Sequence, residues 1–334
     1  MKSSSDSIIS LAAVALLATS LAVPPVCRAQ TPAWKPEKNV EIILGVSPGG
    51  GIDRLARFLQ RILQDKRLVD ATLSVVNKPG GGGAIAQTYL NQRAGDGHFL
   101  HITATSLLTN HITGKTAVNH RDLTPLALLY DEYIGLAVKA DSPARSGAEL
   151  LEGLRSAPEA WPVGIATSAG NTNHIAVALA AKSAGADVKK LRVVVFSSGG
   201  EAMTALLGGH VSVVVTPSAN LIPHQQAGRM RVLAVAAPAR LAGPLATVPT
   251  WKEQGVDAVV ANWRPVIGAK GLAPEPIAFW EQVFARVTQS DEWRAEIERT
   301  GGVNNYMGNR QLVTFFDSEY ARFRAILAEL GLAK

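Results

Sequence analysis

The stretch Val40–Asp53, VEIILGVSPGGGID, indicates the type of fold. Its first half is apolar apart from Glu41, which is typical of a strand buried within a sheet. Three glycines follow, and from Ile52 onward the apolar residues recur with the 3.6-residue period of an amphipathic helix. A strand, a glycine turn and a helix in this order predict one unit of an α/β fold with a parallel sheet.

The same unit recurs along the chain. A predicted strand at 73–77 leads through a glycine loop into a predicted helix at 84–92. Further strands are predicted at 99–103, 133–140, 163–167, 193–196, 211–216, 232–236 and 256–260. Two or three amphipathic helices complete the chain, and this C-terminal part lacks glycine-rich turns, so we expect it to serve packing rather than binding. The overall prediction is an α/β architecture of mostly parallel sheets with flanking helices.

Composition excludes several classes of protein. The 334 residues are 47% hydrophobic and 18% charged, which suits a folded chain with a sizeable core and argues against disorder. The net charge is +6, but lysine and arginine are scattered and aromatic residues make up only 6%. A nucleic-acid groove would cluster both kinds of residue, so we expect no nucleic-acid partner.

Residues 1–29 have the pattern of a secretory signal peptide. An apolar run, Ile8–Val23, is shorter than a membrane span, and small residues precede a cleavage point after Ala29. A lipid anchor at Cys27 is the alternative, but Val26 stands where Gly, Ala or Ser normally precedes a lipidated cysteine. Because Cys27 is the only cysteine, the mature protein is expected to have neither a disulfide nor thiol chemistry.

The glycine turn also spells G-x-S-x-G, the letters of a hydrolase nucleophile elbow. In such an elbow the backbone N–H after the nucleophile donates to the oxyanion, but Ser47 is followed by Pro48, which has no N–H. We therefore expect no enzyme. A secreted α/β hydrolase that acts through Ser47 or His174 is the alternative.

Two other patterns suggest cofactors only weakly. Gly81–Ala86 satisfies G-x-G-x-x-A after a strand, but the acidic residue of a dinucleotide site is missing from the end of the next strand, since Asp96 precedes that strand. His98 and His101 are three residues apart in a strand pattern, and no third ligand has a convincing spacing. The sequence therefore predicts neither a cofactor nor a metal site.

Four polar loops of similar type connect strands to helices. They are Ser47–Asp53, Asn77–Gly83, Thr167–His174 and Ser197–Glu201. Each places free backbone N–H groups at the start of a helix, where the helix dipole adds positive potential. Because ligands of open α/β sheets bind at the carboxyl ends of strands, we expect the loops to line one site that is rich in neutral donors. Such a site suits a small carboxylate held without chemistry, although a tight turn would explain the glycines of any single loop.

Six motifs, in the same order along the chain, resemble those of the periplasmic solute receptors of tripartite tricarboxylate transporters, also called Bug receptors. The motifs are KNVEIILGVSPGGGIDRLAR, VVNKPGGGGAIA followed by GDGH, LAVKADSP, ALLGGHVSVVV, AGRMRVLAV and VPTWKEQGV. The resemblance runs from about Trp34 to the C-terminus.

This resemblance implies a two-lobed, type II periplasmic-binding-protein fold. Its lobes would be 34–133 plus 251–334 and 134–250, joined by a hinge of crossing strands. They would close around a small, usually carboxylated, organic solute and deliver it to the membrane subunits of a tripartite tricarboxylate-type transporter. The resemblance further implies a monomer in the periplasm, and a receptor that serves a signalling system is a second alternative.

By the same resemblance, the loops Ser47–Asp53 and Ser168–His174 would hold the proximal carboxylate of the solute. Ser212 replaces a frequent aspartate of the family, and Ser197–Glu201 differs from a common Tyr-Lys-Gly-Gly-like segment, so the identity of the solute is not implied. The candidate ligand-binding residues are Ser47, Pro48, Gly49, Gly50, Gly51, Asp53, Gly81, Gly82, Thr103, Thr105, Ser168, Gly170, Asn171, Asn173, His174, Ser197, Ser198, Gly199 and Thr216.

Overall fold

The structure is a computed structural model that describes residues 34–334. The predicted signal peptide, with Cys27, lies outside the described residues.

Residues 34–334 form ten strands and ten α-helices. The strands are β1 Val40–Leu44, β2 Leu73–Asn77, β3 Phe99–Ile102, β4 Thr124–Lys139, β5 Val163–Ala166, β6 Val193–Phe196, β7 Val213–Pro217, β8 Met230–Val235, β9 Ala261–Gly268 and β10 Val303–Gly308. The helices are α1 Gly51–Asp65, α2 Ala84–Asn91, α3 Ser106–Ile112, α4 Gly147–Ser156, α5 Thr172–Ser183, α6 Gly199–Leu207, α7 Ser218–Gln226, α8 Pro274–Gln289, α9 Asp291–Arg299 and α10 Asn309–Glu329.

The first strand and helix form as the sequence predicts. The apolar stripe of α1 is buried against the sheet through Leu55, Leu59 and Leu63, while Arg54 and Arg61 on the other faces are exposed. Full burial of a leucine side chain stabilises the fold by about 2 kcal/mol, so these three positions fix the helix on the strands.

A single long strand connects the two halves of the sheet. The strand order is β2-β1-β3-β9-β4-β7-β5-β6, and both β8 and β10 also pair with β4. The first half of β4 pairs with β9 from Thr124 to Tyr133, and its second half pairs with β7 and β8. The groups β2-β1-β3 and β6-β5-β7 are parallel, whereas the pairs that involve β4 or β9 are antiparallel. The α/β fold is confirmed, with its parallel strands in two separate groups.

Two strand predictions near the connection between the halves need correction. β4 begins at Thr124, nine residues before the predicted start at 133. No strand forms at 256–260, and β9 follows at Ala261–Gly268 instead. The residues of 256–260 are apolar because Val256, Ala258 and Val260 are buried, but burial does not require a ladder of hydrogen bonds. β9 contains polar side chains and a proline, so its sequence lacks the apolar pattern by which a strand is predicted.

Candidate ligand-binding cleft

A cavity of about 700 Å³ lies where the carboxyl ends of both groups of parallel strands meet. Its walls come from the loops after β1, β2, β3, β5, β6 and β7, together with residues of β4 and β9. The four polar loops therefore converge on one cavity, as predicted. A cavity of this volume has room for a small organic molecule.

Most of the predicted ligand-binding residues line this cavity: Ser47, Pro48, Gly50, Gly51, Gly81, Gly82, Thr103, Thr105, Asn171, Asn173, Ser197, Ser198, Gly199 and Thr216. Five others, namely Gly49, Asp53, Ser168, Gly170 and His174, belong to the same loops but are not among the lining residues.

Asp53, the last residue of the first loop, holds that loop in place through its hydrogen bonds. One carboxylate oxygen accepts hydrogen bonds from the backbone N–H of Gly49 and from Arg57, both at 3.0 Å. The other accepts from the side-chain amide of Asn77 at 3.0 Å, and the same amide donates to the carbonyl of Val46. Burial raises the pKa of Asp53, but these donors outweigh burial and hold it below its usual value. Asp53 is thus a positioning residue that ties α1, β1 and β2 together.

The second loop presents bare backbone to the cavity. Gly80, Gly81, Gly82 and Gly83 all have positive φ, which residues with side chains rarely adopt. A Cβ atom on Gly82 would lie 3.2 Å from the hydroxyl of Ser168, which belongs to the loop after β5. The two loops therefore approach each other closely, and the glycines allow this approach.

The third loop uses its polar residues to begin α5. The side-chain oxygen of Asn171 accepts a hydrogen bond from the backbone N–H of His174 at 3.1 Å, and its amide donates to the carbonyl of Ala166 at 2.5 Å. The His174 ring is turned to its own loop, where Nδ1 accepts from the N–H of Gly170 at 3.1 Å. Burial, with a smaller effect of Lys115, lowers the pKa of His174 to about 4. His174 therefore stabilises the loop in its neutral form and does not line the cavity.

The fourth loop begins α6 with a serine cap. The hydroxyl of Ser198 accepts a hydrogen bond from the N–H of Glu201 at 3.2 Å, as the S-x-x-E spacing predicts. Nearby, Asn220 donates to the hydroxyl of Thr216 at 3.0 Å, and both residues line the cavity. Asn220 was not predicted because α7 begins without a glycine-rich loop.

A buried ion pair in the cavity wall was also missed by the sequence analysis. Arg264 on β9 donates to the carboxylate of Glu132 on β4, and both side chains are less than a tenth exposed. Burial raises the pKa of Glu132, and the adjacent guanidinium opposes this rise. The C-terminal part was expected to serve packing rather than binding, yet Asn262 and Arg264 of this part line the cavity. Glu132 lies in the largely apolar strand β4, and a charged residue buried there needs a partner, but the sequence does not show which residue that partner is.

Hydrogen bonds link this ion pair to both groups of parallel strands. Asn262 on β9 donates to Glu132 at 3.5 Å and accepts from the hydroxyl of Thr172, at the start of α5, at 3.2 Å. The Thr172 hydroxyl also contacts that of Thr105, which follows β3. One chain of polar contacts therefore runs along the cavity wall from β3 through α5 to β4 and β9.

A family model described as the tripartite tricarboxylate transporter family receptor, TctC, matches residues 55–332. The chain belongs to this family. Its members are periplasmic solute-binding receptors and not enzymes, and the resemblance seen in the sequence motifs is confirmed.

Curated relatives cover nearly the whole chain. The "UPF0065 protein in gbd 5'region" of Cupriavidus necator is 28% identical over 96% of both chains. "Protein BugT" of Bordetella pertussis is 25% identical over 89% of this chain and 90% of its own length.

Solved structures of similar proteins share the fold of this TctC-family chain. A TctC solute-binding protein from Polaromonas, solved without ligand, is 26% identical with a TM-score of 0.70, over 88% of this chain and 99% of its own. A protein of R. palustris solved with adipate is 23% identical with a TM-score of 0.80, over 89% of this chain and 99% of its own. The predicted periplasmic-binding-protein fold is therefore confirmed.

Residues 34–334 have neither a membrane-spanning helix nor a metal cluster of the kinds described next. None of their helices is both long and apolar enough to cross a membrane. No group of three or more His, Cys, Asp or Glu side chains in this range is placed to hold a metal ion.

Proposed function

We propose that this protein captures a small carboxylated organic solute in the cleft and delivers it to the membrane subunits of a tripartite tricarboxylate-type transporter. The observation that supports this function best is the convergence of four helix starts, those of α1, α2, α5 and α6, on one cavity. Their free backbone N–H groups and helix dipoles attract an anion.

The neutral donors of the cavity suit binding more than chemistry. The loops Ser47–Gly51 and Asn171–Asn173 would hold the proximal carboxylate through backbone N–H groups, a hydroxyl and side-chain amides. A hydrolase would need an oxyanion donor at the backbone nitrogen of Pro48, which carries no hydrogen. It would also need a base near Ser47, whereas the His174 ring is turned to Gly170. Binding without turnover is the function that these groups support.

The solute would be enclosed between two lobes, 34–133 plus 251–334 and 134–250. The two separate groups of parallel strands support this division, since β1–β3 belong to the first range and β5–β7 to the second. β4 and β9 would form the hinge, because β4 pairs with β7 of the second group and with β9, and β9 in turn pairs with β3 of the first group. The cavity takes its lining from both ranges.

The site of action would be the periplasm, after export and cleavage behind Ala29, with the mature protein acting as a monomer. The periplasmic location of the family's receptors supports the compartment. The apolar run Ile8–Val23 and the small residues before the cleavage point support the export signal.

A thermal-shift screen of the mature protein, starting at Gln30, tests the binding function. The panel contains di- and tricarboxylates, aromatic acids, amino acids, and esters of the same acids. We expect at least one acid to stabilise the protein, by about 2.7 kcal/mol at 100 times its Kd, and its fully esterified form to have no effect. Stabilisation by no acid, or turnover of the esters, would overturn the proposal.

Uptake of the best acid then separates transport from signalling. A strain that lacks this receptor is expected to lose uptake of the labelled acid and to regain it with the wild-type protein. Uptake that continues unchanged without the receptor would contradict the transport role while leaving the binding function intact.

A further inference from the structure

The Glu132–Arg264 ion pair differs chemically from the rest of the cavity wall. Among the lining residues, these two are the charged ones, while the loops contribute backbone groups, hydroxyls and amides. Arg264 is 5% exposed and Glu132 6% exposed, so both charges are held in a medium of low dielectric constant. An ion pair in that position is costly to bury, and its charges act strongly on any group placed beside it.

The pair lies at the edge of the sheet where a ligand is expected. In the pairing of β3 with β9, Ile102 is opposite Val266, so Arg264 lies two residues beyond the carboxyl end of β3. In sheet order, β9 is two strands away from β1, which corresponds to about 10 Å at the usual spacing of strands. A solute that contacts the loop after β1 with one end could therefore reach the ion pair with the other.

Part of the pair's hydrogen-bonding capacity is unused. The Arg264 guanidinium contacts Glu132 through Nη2, while its Nη1 is buried without a hydrogen-bond partner among residues 34–334. The Glu132 carboxylate accepts from Arg264 and from Asn262 through Oε2. On the cationic side of the pair, Nη1 is thus a donor without a partner, and on the anionic side Oε1 of Glu132 accepts no hydrogen bond from residues 34–334.

We propose that the Glu132–Arg264 pair determines specificity, selecting solutes that carry one carboxylate and, at the other end, an uncharged group that both donates and accepts hydrogen bonds, such as a carboxamide. A second carboxylate placed beside the pair would be repelled by the Glu132 carboxylate, and an ammonium group would be repelled by the Arg264 guanidinium. An amide N–H can donate to Glu132 while its carbonyl accepts from Arg264, so neither buried charge opposes it.

This inference rests on the proposed function, because it assumes that the cleft binds a carboxylate. The test compares dicarboxylic acids of about four to six carbons with their monoamides by calorimetry on the mature protein. We expect the best monoamide to bind at least tenfold more tightly than its parent diacid. A diacid that binds as tightly as its monoamide, or more tightly, would overturn the specificity and leave the receptor function standing. Binding of neither class would also overturn the specificity, whereas the receptor function is overturned only if no acid of the wider thermal-shift panel binds.

Two variants show whether the ion pair causes the preference. Glu132→Gln removes the anion and leaves Arg264 charged, so the ratio of affinities should shift at least tenfold toward the diacid. Glu132→Gln combined with Arg264→Gln removes both charges and is expected to bring the ratio near one, and it serves if the single variant does not fold. Glu159→Gln, at an exposed position, is the matched control and should keep the wild-type ratio. An unchanged ratio in a folded variant would contradict the assignment.

Discussion

Ser47 shows how a single neighbour decides the chemistry of a residue. It lines the cavity and stands at the centre of a G-x-S-x-G sequence, but Pro48 cannot donate a hydrogen bond to an oxyanion. We expect Ser47→Ala to weaken solute binding by about 1 kcal/mol, the net contribution of one hydrogen bond, and to leave folding unchanged. Calorimetry measures this loss.

The matched control for this change is Ser183→Ala, at an exposed position at the end of α5, which should leave the affinity unchanged. Labelling of Ser47 by a fluorophosphonate would show instead that the serine is an activated nucleophile, and would contradict its assignment to ligand contact.

Two buried histidines make stability depend on pH. Burial lowers the pKa of His101 from 6.5 to about 4, although a hydrogen bond to the carbonyl of Ile43 opposes this shift. His174 has a pKa of about 4 for a similar reason. Between pH 6.5 and 4 the unfolded chain binds protons that the folded chain does not, so the free energy of unfolding decreases as the pH falls through this range.

The size of this effect can be measured by urea denaturation at pH 7 and pH 5. Each buried histidine should lower the free energy of unfolding by about 2 kcal/mol at pH 5. His101→Gln should remove its share of the difference, whereas His210→Gln, at an exposed position, should not. An equal difference in His101→Gln and in the wild type would refute the assignment.

At the scale of elements, the end of β1 packs directly on the second loop. A Cβ atom on Gly45 would lie 2.6 Å from the Cα atom of Gly83, so the two backbones are in contact without a side chain between them. We expect Gly45→Ala to push the loops apart and to lower the free energy of unfolding by about 1–3 kcal/mol. Affinity for the solute should fall as well, because both loops line the cavity.

Gly200→Ala in the first turn of α6 is the control for this glycine. Its Cβ atom would meet nothing closer than 3.9 Å, so the change should be neutral or slightly stabilising. Thermal denaturation and calorimetry compare the two variants. If Gly45→Ala is as stable as the wild type and binds equally well, the contact between β1 and the loop has no role in the site.

At the scale of the whole molecule, the proposed lobes are in contact beside the cavity. Lys115 donates to the carbonyl of Ala169 at 2.7 Å, and Thr105 contacts Thr172 across the proposed boundary. Because each lobe supplies only part of the cavity wall, the full binding energy is available only when the lobes are together. A solute then shifts the equilibrium toward the closed form by its difference in affinity for the two forms.

We therefore expect saturating solute to lower the radius of gyration in small-angle scattering and to shorten a spin-label distance between the lobes. Ser47→Ala should show the same closed form at a correspondingly higher concentration of solute. If saturating solute changes neither the radius of gyration nor the spin-label distance, the hinge mechanism is wrong.

The sequence by itself determined the local units and the general position of the site. β2 begins and ends where it was predicted, and the first strand and helix agree closely, because apolar periodicity and glycine turns act over a few neighbouring residues. Most candidate residues line the cavity for a related reason, since loops at the carboxyl ends of parallel strands meet at one edge of the sheet.

Only the tertiary structure decided which polar side chains face the cavity and which support it. Asp53 and His174 are turned to backbone N–H groups of their own loops, while Asn262 and Arg264, on a strand hidden by polar residues, line the cavity. Arg264 meets its partner Glu132 across 132 residues of sequence. A buried charge is stable only beside its counter-charge, and the distance between the two is a property of the folded sheet that no local pattern in the chain encodes.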